Sequence, residues 1–330
     1  MKKYLSPLLM LVIAAFVMAP GWVQAHEGVY ISSDIGLNIA SGVETAGASN
    51  DGASHCDALL NPNVMTDCTG DQGGDFPYPG NQFFEDWWND FSSGQGILAG
   101  AAVGYSFAKQ NPNSPLGGLR VEMEYFYRQS KYDETRDITR AGGASLAKIR
   151  NGELATVTDR VGSITSHNLF ANLYYDFANT SRFTPYIGVG GGLGFTDMGY
   201  GSLWARTLNK DTIRNGLTET GRPDLAANNA YIDNLAGSTS SAQTTLSDTL
   251  WGFQVLFGVD YAITEAMSLG LKGRWVMFND FRDNIVWDPL RGHAPYVGGT
   301  PANPTNPVSG YIDASNIQFF GISLNMKYHF

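Results

Sequence analysis

Apolar and polar residues alternate with a period of two in eight separate segments, a pattern typical of β-strands whose two faces meet different environments. In the third segment, apolar and aromatic residues from Leu119 to Tyr127 alternate with Arg120, Glu122, Glu124 and Arg128. Four charges on one face would not suit the core of a soluble sandwich, whereas a transmembrane barrel has one face toward lipid and one toward a polar lumen. The segments lie near residues 29–39, 97–107, 119–128, 168–177, 183–195, 251–261, 269–277 and 320–330.

The connections between these segments differ in length. Three are short, at 108–118, 178–182 and 262–266, and four are long, at about 41–94, 133–162, 199–248 and 281–315. An even number of antiparallel strands can close, and outer-membrane barrels have short periplasmic turns and longer extracellular loops. The sequence therefore predicts an eight-stranded antiparallel up-and-down transmembrane β-barrel with short periplasmic turns and four long extracellular loops.

The N-terminus has the features of an export signal. Lys2 and Lys3 precede a short apolar run, and the small residues before Ala25 predict cleavage after it, leaving a barrel domain over 26–330. No other long apolar stretch follows, so transmembrane helices are not expected. Cleavage changes the formal net charge from −10 to −12, because two lysines and no acids are removed. An acidic surface argues against nucleic acid as a partner.

Two motifs carry a resemblance to a known family. Residues 321–330, ending in Tyr328 and Phe330, resemble the C-terminal signal that the barrel-assembly machinery reads, and residues 183–194 look like the fifth strand of small OmpA-like and opacity-type surface proteins. The resemblance implies an outer-membrane location in a Gram-negative-type bacterium. It also implies outer-membrane lipid, lipopolysaccharide and the assembly machinery as partners. Family functions include surface antigen, adhesin, small-solute channel and structural envelope protein.

Ten charged residues are predicted to face the lumen. Five are acids and five are bases: Asp34, Glu122, Glu124, Asp176, Asp260, Arg120, Arg128, Lys272, Arg274 and Lys327. They are interpreted as a plug of paired charges, because side chains can fill a barrel of eight strands. The alternative is a narrow polar conduit, which inward glycines on the second and fifth segments would favour. Replacing Arg120 with Leu is expected to leave Glu122 or Glu124 unpaired.

The first long loop holds Cys56 and Cys68, which predict a disulfide in the oxidising compartment that an export signal implies. Zinc, with His55 as a further ligand, is the alternative. From residue 41 to 94 the loop has nine acids and no Lys or Arg. The acidic residues are interpreted as a solvated loop. A calcium site formed by Asp51, Asp67, Asp71 and Asp75 is the weaker interpretation, because the spacing of an EF-hand is lacking.

An aromatic stripe near the end of this loop is a candidate binding patch. On a helix, one face would carry Phe83, Phe84, Trp87, Trp88 and Phe91. The stripe is interpreted either as packing against neighbouring loops or the outer bilayer surface, or as an exposed patch for a host or cell-surface ligand.

Catalysis is not predicted. Ser166 and His167 are adjacent on one strand and so point to opposite faces, and the sequence holds no G-x-S-x-G, HExxH or CxxC motif. No cofactor or metal is expected. Three function classes remain: a scaffold that presents loops for binding, adhesion or as antigen; a small-solute or ion channel; and, least favoured, an outer-membrane hydrolase or acyltransferase.

Overall fold

A computed structural model describes residues 27–49, 84–107, 118–139, 149, 152–177, 179, 181–219, 223–287, 296–297, 300–301 and 308–330. Its strands are β1 (Gly28–Ala40), β2 (Glu44–Ser49), β3 (Phe84–Asp90), β4 (Gly94–Phe107), β5 (Leu119–Asp137), β6 (Leu154–Asp176), β7 (Phe183–Arg206), β8 (Thr239–Ala262), β9 (Met267–Phe278), β10 (Phe281–Trp287), β11 (Tyr296–Val297), β12 (Thr300–Pro301), β13 (Val308–Ser315) and β14 (Gln318–His329). Eight of them close into one barrel in the order β1-β14-β9-β8-β7-β6-β5-β4. The predicted eight-stranded antiparallel barrel is confirmed.

The outward face of this barrel is apolar over a band suited to lipid. On β1, the residues Val29, Ile31, Ile35, Leu37 and Ile39 are all exposed. The ten-residue rise from Val29 to Ile39 corresponds to about 25 Å for a tilted strand, the height of the apolar band of outer-membrane barrels.

Aromatic residues border this band at both ends. The periplasmic girdle contains Tyr105, Phe107, Tyr175, Phe177, Tyr261, Tyr328 and Phe330, and the outer girdle contains Tyr125, Tyr127, Phe195, Trp251, Trp275 and Phe320. In water such a surface would be an aggregation site, whereas in lipid it is the solvated face.

Above the outer girdle the wall of the barrel continues as two facing sheets. Strands β2, β3, β10 and β13 form one sheet in the order β10-β13-β2-β3, which prolongs β9, β14, β1 and β4 after short breaks. The upper parts of β5, β6, β7 and β8 form the other sheet. Side chains from both sheets make one apolar core, which includes Trp87, Val161, Met198, Leu246 and Ile312. We call these two sheets and their core the outer module.

The four long connections contain strands over part of the length that was predicted as loop. Strand β7 runs to Arg206 and β8 begins at Thr239, so both penetrate the predicted 199–248 loop from either side. The physical reason is an exchange of faces: on β7, Met198 and Tyr200 point inward and are buried, while Asp197 and Gly199 point outward. The alternation that places apolar residues on the outward face ends at that level, although the strand itself continues.

Two β-bulges hide the same continuation in β5 and β6. The register shifts between Lys131 and Glu134 and between Val161 and Ile164. In β6 the extra residue exchanges the two faces, because Ile164 and Val161 are three residues apart and both buried, whereas in β5 the buried residues Ser130 and Ile138 keep the same parity. In both strands the outward apolar residues end before the bulge, although the strand continues beyond it.

The connection from β7 to β8 also contains three helices, α1 (Lys210–Glu219), α2 (Pro223–Ala226) and α3 (Asn229–Leu235). Among the described residues, no helix has both the length and the apolarity that a membrane span requires. The signal segment with its cleavage after Ala25, and the cysteines Cys56 and Cys68 with the acidic residues between them, lie outside the described residues.

Candidate functional site: the filled lumen and the outer module

Glu124 lies at the centre of the lumen with no solvent exposure. Its Oε1 accepts hydrogen bonds from Lys272 Nζ at 2.5 Å and Arg274 Nη2 at 2.8 Å. Arg274 Nη2 also lies 2.8 Å from Asp34 Oδ2, so it joins strands β1, β5 and β9 across the interior. Buried charges are tolerated when they are paired in this way.

Glu122 lies in the same network but pairs mainly with neutral donors. It accepts hydrogen bonds from Tyr30 Oη at 2.9 Å, Tyr174 Oη at 2.8 Å and Asn172 Nδ2 at 3.2 Å, and Lys272 Nζ is 3.8 Å away. Inward glycines leave room for these side chains, because a Cβ at Gly190 would lie 2.0 Å from Asn172 Oδ1. The glycines thus accommodate a filling of the lumen.

A second charged group lies toward the periplasmic end. Arg120 Nε is 2.7 Å from Asp176 Oδ2, its Nη2 is 3.9 Å from Asp260 Oδ2, and Lys327 also pairs with Asp260. The Arg120 guanidinium is 4.7 Å from the ring centroid of Tyr174. The expectation that Arg120 neutralises Glu122 or Glu124 was therefore wrong, because its carboxylate partners are Asp176 and Asp260.

Arg128 differs from the other four cations, since no ion pair joins it to a described acid. It is buried, its Nε donates to Ser166 Oγ at 3.3 Å, and its guanidinium lies 4.7 Å from the centroid of the Phe319 ring. This is the level at which the lumen turns apolar, in a layer formed by Ala40, Phe126, Phe170, Val276 and Phe319.

The structure thus places all ten predicted charges in the interior and brings nine of them into two ion-pair groups. Above them come the aromatic layer and then the core of the outer module. At each level from the periplasmic girdle to the top of the outer module, buried side chains point into the described interior.

The aromatic stripe of the first long loop forms a strand, not a helix. Trp87 belongs to β3 and is 5 % exposed, and Phe91 is 1 % exposed, both in the core of the outer module. Trp88, on the opposite face of the strand, is half-buried. The helical expectation was wrong because apolar spacing alone does not separate a buried strand from a helix. Trp87 and Phe91 are unavailable as an exposed patch; Phe83 and the side chain of Phe84 lie outside the described residues.

Sequence reasoning missed a buried acid in the core of the outer module, above the membrane. Asp159 is 1 % exposed, and its Oδ2 accepts hydrogen bonds from Trp87 Nε1 at 3.2 Å and Asn89 Nδ2 at 3.0 Å. These bonds join the two sheets of the outer module. Burial raises the pKa of Asp159 from 3.8 to about 6. The sequence feature that could have predicted this burial is the position of Asp159 between Val157 and Val161 on one face of a strand.

Ser166 and His167 do lie on opposite faces. Ser166 is fully buried in the lumen, whereas His167 faces outward at the outer girdle, where its Nδ1 is 2.7 Å from Tyr125 Oη. No nucleophile–base pair is formed by these two residues.

Part of the chain matches a known protein family, and the whole chain is similar to several solved outer-membrane proteins. The family described as Opacity family porin protein matches residues 155–285. The chain is similar to OprG from Pseudomonas aeruginosa (13 % identity, 93 % of this chain and 100 % of that chain covered, TM-score 0.41). It is also similar to Neisserial surface protein A (12 %, 92 % and 97 %, 0.36) and to a major outer membrane protein from Thermus thermophilus (11 %, 90 % and 99 %, 0.36). No curated protein matches it in sequence.

The closed ring of eight paired strands, the apolar band and the two aromatic girdles define an outer-membrane β-barrel protein of the Gram-negative type. The opacity-type resemblance drawn from the sequence is confirmed by the family match, which runs from β6 to β10.

Proposed function

We propose that this protein is a closed outer-membrane scaffold that displays a folded module outside the cell for binding or adhesion. The observation that carries the proposal is the filled interior: ion pairs, an aromatic layer and an apolar core follow one another along the axis. A conduit would need continuous water-accessible space, and these buried layers leave the outer module as the working part.

The outer module offers surface for such a role. Its outward face carries a polar recess of about 460 Å³ at the bulges of β5 and β6, with Lys131 and Arg160 among its lining residues. Rigid scaffolds commonly present their functional surfaces in this way.

A narrow channel is the second candidate, because some lumen polar atoms lack a partner. Arg120 Nη2, Arg128 Nη2, Arg274 Nη1 and Gln254 Oε1 are buried without a hydrogen bond among the described residues. Water would satisfy them, and a continuous file of water would conduct ions.

Single-channel conductance in a planar bilayer separates the two candidates. The refolded wild type is expected to be silent, with folding verified by heat-modifiable migration on gels. A variant with Phe126, Phe170 and Phe319 changed to Ala opens the aromatic layer and serves as the matched control for a thinned plug. Discrete, reproducible openings of the wild type would contradict the proposal.

The binding role has its own test. Cells that carry the wild type are expected to adhere to host or bacterial surfaces better than cells carrying Trp87→Ala, which loosens the module and leaves the barrel intact. Equal adhesion, at equal surface amounts, would argue against a role of the module.

A further inference from the structure

The polar recess at the bulges of β5 and β6 lies at a defined height above the outer girdle. On β5, Lys131 follows the girdle residue Tyr127 by four residues, and on β7, Gly199 follows Phe195 by four. Four residues of a strand tilted by about 40° rise about 10 Å. Phospholipid headgroups add only about 5–7 Å to each side of the hydrocarbon core. The recess therefore opens at the level of a taller headgroup, such as the sugars of a glycolipid.

The floor of the recess contains glycines that packing does not require. Gly162 and Gly199 are among the lining residues. A Cβ at Gly162 would lie 3.7 Å from the backbone oxygen of Gly199, and one at Gly199 would lie 3.6 Å from Ser163 N, both ordinary contact distances. In the lumen, by contrast, a Cβ at Gly190 would lie 2.0 Å from Asn172 Oδ1. Glycine within a strand often marks a place where a ligand approaches the backbone closely.

Charged side chains form one side of the recess. Lys131 and Arg160 are both exposed, and Arg160 Nη2 lies 3.0 Å from Asp133 Oδ1. Asp133 lies in the bulge of β5 with a φ of 48°, in the left-handed region that aspartate adopts more readily than most residues. Two cations and one acid give the lining a net charge of +1, on a chain whose formal net charge is −10. The recess therefore favours an anion.

The other side of the recess is polar but uncharged. Its hydroxyl and amide groups belong to Ser163, Gln243, Thr244 and Thr245. Such groups both donate and accept hydrogen bonds, as sugar hydroxyls require, and the carboxylate of Asp133 is a further acceptor. A cationic side next to neutral hydrogen-bonding groups suits a sugar that carries a phosphate better than it suits phosphate alone.

We propose that the recess binds the phosphorylated sugar headgroup of an outer-leaflet glycolipid, with the phosphate at Lys131 and Arg160 and the sugar over the glycine floor. Lipid surrounds the barrel wall at this height, so the ligand is already present at high local concentration. A bound glycolipid would fix the outer module relative to the leaflet. The inference goes beyond the proposed function, because a closed scaffold and a channel could hold the same lipid, and either conclusion can fail alone.

The test is lipid binding by the refolded full-length protein in phosphatidylcholine vesicles. The probe is dansyl-labelled lipopolysaccharide that retains only its lipid anchor and innermost sugars, added at increasing mole fraction. Energy transfer from the girdle tryptophans, Trp251 and Trp275, to the dansyl group reports binding. The mole fraction at half-maximal transfer gives an apparent Kd, and heat-modifiable migration verifies folding of each variant.

Removing the two cations tests the phosphate contact. Lys131→Gln combined with Arg160→Gln should raise the apparent Kd roughly tenfold or more, because each cation can make a charge-assisted hydrogen bond to phosphate. Arg136→Gln is the matched control, since its side chain is 47 % exposed against 49 % for Arg160 but does not line the recess. The control should bind as the wild type does. Equal binding by the double variant would overturn the proposal.

Filling the floor tests the recess with its charges intact. Gly199→Val should fold normally, because a Cβ has room there, and should raise the apparent Kd severalfold. Unchanged binding by this variant would overturn the recess as the site.

Two further probes identify the source of the phosphate. Dephosphorylated lipopolysaccharide should bind the wild type as weakly as the intact lipid binds the double variant, and equal binding of both lipids would overturn phosphate recognition. Millimolar inorganic phosphate should leave energy transfer unchanged. Displacement of the labelled lipid by inorganic phosphate would mean that the recess takes a free anion, and would overturn the assignment to a lipid.

Discussion

Neutralising Glu124 should cost the barrel more stability than any comparable change on its surface. In Glu124→Gln the shape is kept, but Lys272 and Arg274 lose the carboxylate that lies 2.5 and 2.8 Å from them. Both cations are buried, at 3 % and 0 % side-chain exposure, so water cannot replace the lost partner.

The expected loss follows from the partners that remain. Breaking a buried pair by removing one member typically costs about 3–5 kcal/mol. Arg274 keeps Asp34 at 2.8 Å, but Glu122, at 3.8 Å, is the only carboxylate within ion-pair distance that Lys272 keeps in the described part of the chain. Because one cation stays well paired and the glutamine oxygen still accepts a hydrogen bond, the loss should lie near the lower end, at about 3 kcal/mol.

The assay is urea unfolding in lipid vesicles, followed by heat-modifiable migration on gels. The control is Glu134→Gln, the same chemical change in an ion pair with Arg136 whose two side chains are 23 % and 47 % exposed. An exposed pair of this kind contributes about 0–1 kcal/mol, so the control should unfold almost as the wild type does.

A double-mutant cycle with Lys272→Met tests the cause of the loss. Removing the cation that Glu124 neutralises should make the double variant more stable than the sum of the single changes predicts, by about 1 kcal/mol or more. A Glu124→Gln loss below about 1 kcal/mol, or simple additivity in the cycle, would refute the reasoning that ion pairs hold the lumen together.

The remaining predictions concern other parts of the molecule. Arg120→Leu should lower the heat-modification temperature by leaving Asp176 without the guanidinium 2.7 Å away, and an unchanged temperature would contradict this. Because the folded pKa of Asp159, about 6, exceeds the ordinary 3.8, the protonated form favours folding; the outer module should lose up to about 3 kcal/mol as pH rises from 4 through 6, a slope that urea melts should not show for Asp159→Asn. Trp87→Ala should destabilise the outer module by about 3–5 kcal/mol and speed its proteolysis, whereas Leu208→Ala, at an 80 % exposed position, should change little. Cys56 and Cys68 should show no reactive thiol before reduction, and free thiols in the native protein would contradict the disulfide.

The membrane-spanning part of the fold could be predicted from the sequence because lipid and lumen impose opposite preferences on the two faces of each strand. Arg120, Glu122, Glu124 and Arg128 all point inward as their alternation with apolar residues requires. Which acid meets which base could not be predicted. Tilt and stagger set the distance across the lumen, so Arg120 reaches Asp176 on β6 and not its sequence neighbours.

The outer module escaped prediction for a related reason. Just beyond Phe195, the apolar residues Met198 and Tyr200 lie on the face of β7 that was polar within the membrane. The strand continues without a break while its hydrophobic side changes, and a search for one constant pattern ends at that point. At β6 the bulge adds a second change of face, which no local rule separates from a loop.

The change of interior from charged to apolar occurs where the solvent around the barrel changes. Within the membrane, a strand that was apolar on both faces would have no preferred side, so the polar lumen fixes which face is turned inward. Above the outer girdle the strands are surrounded by water. There the hydrophobic effect fixes which face is turned inward, because it favours the burial of apolar side chains. The layer of Phe126, Phe170 and Phe319 lies at this boundary, with Arg128 stacked on it. The aromatic layer therefore separates two interiors that are held by different forces, so charge removal should weaken the lower one and core truncation the upper one.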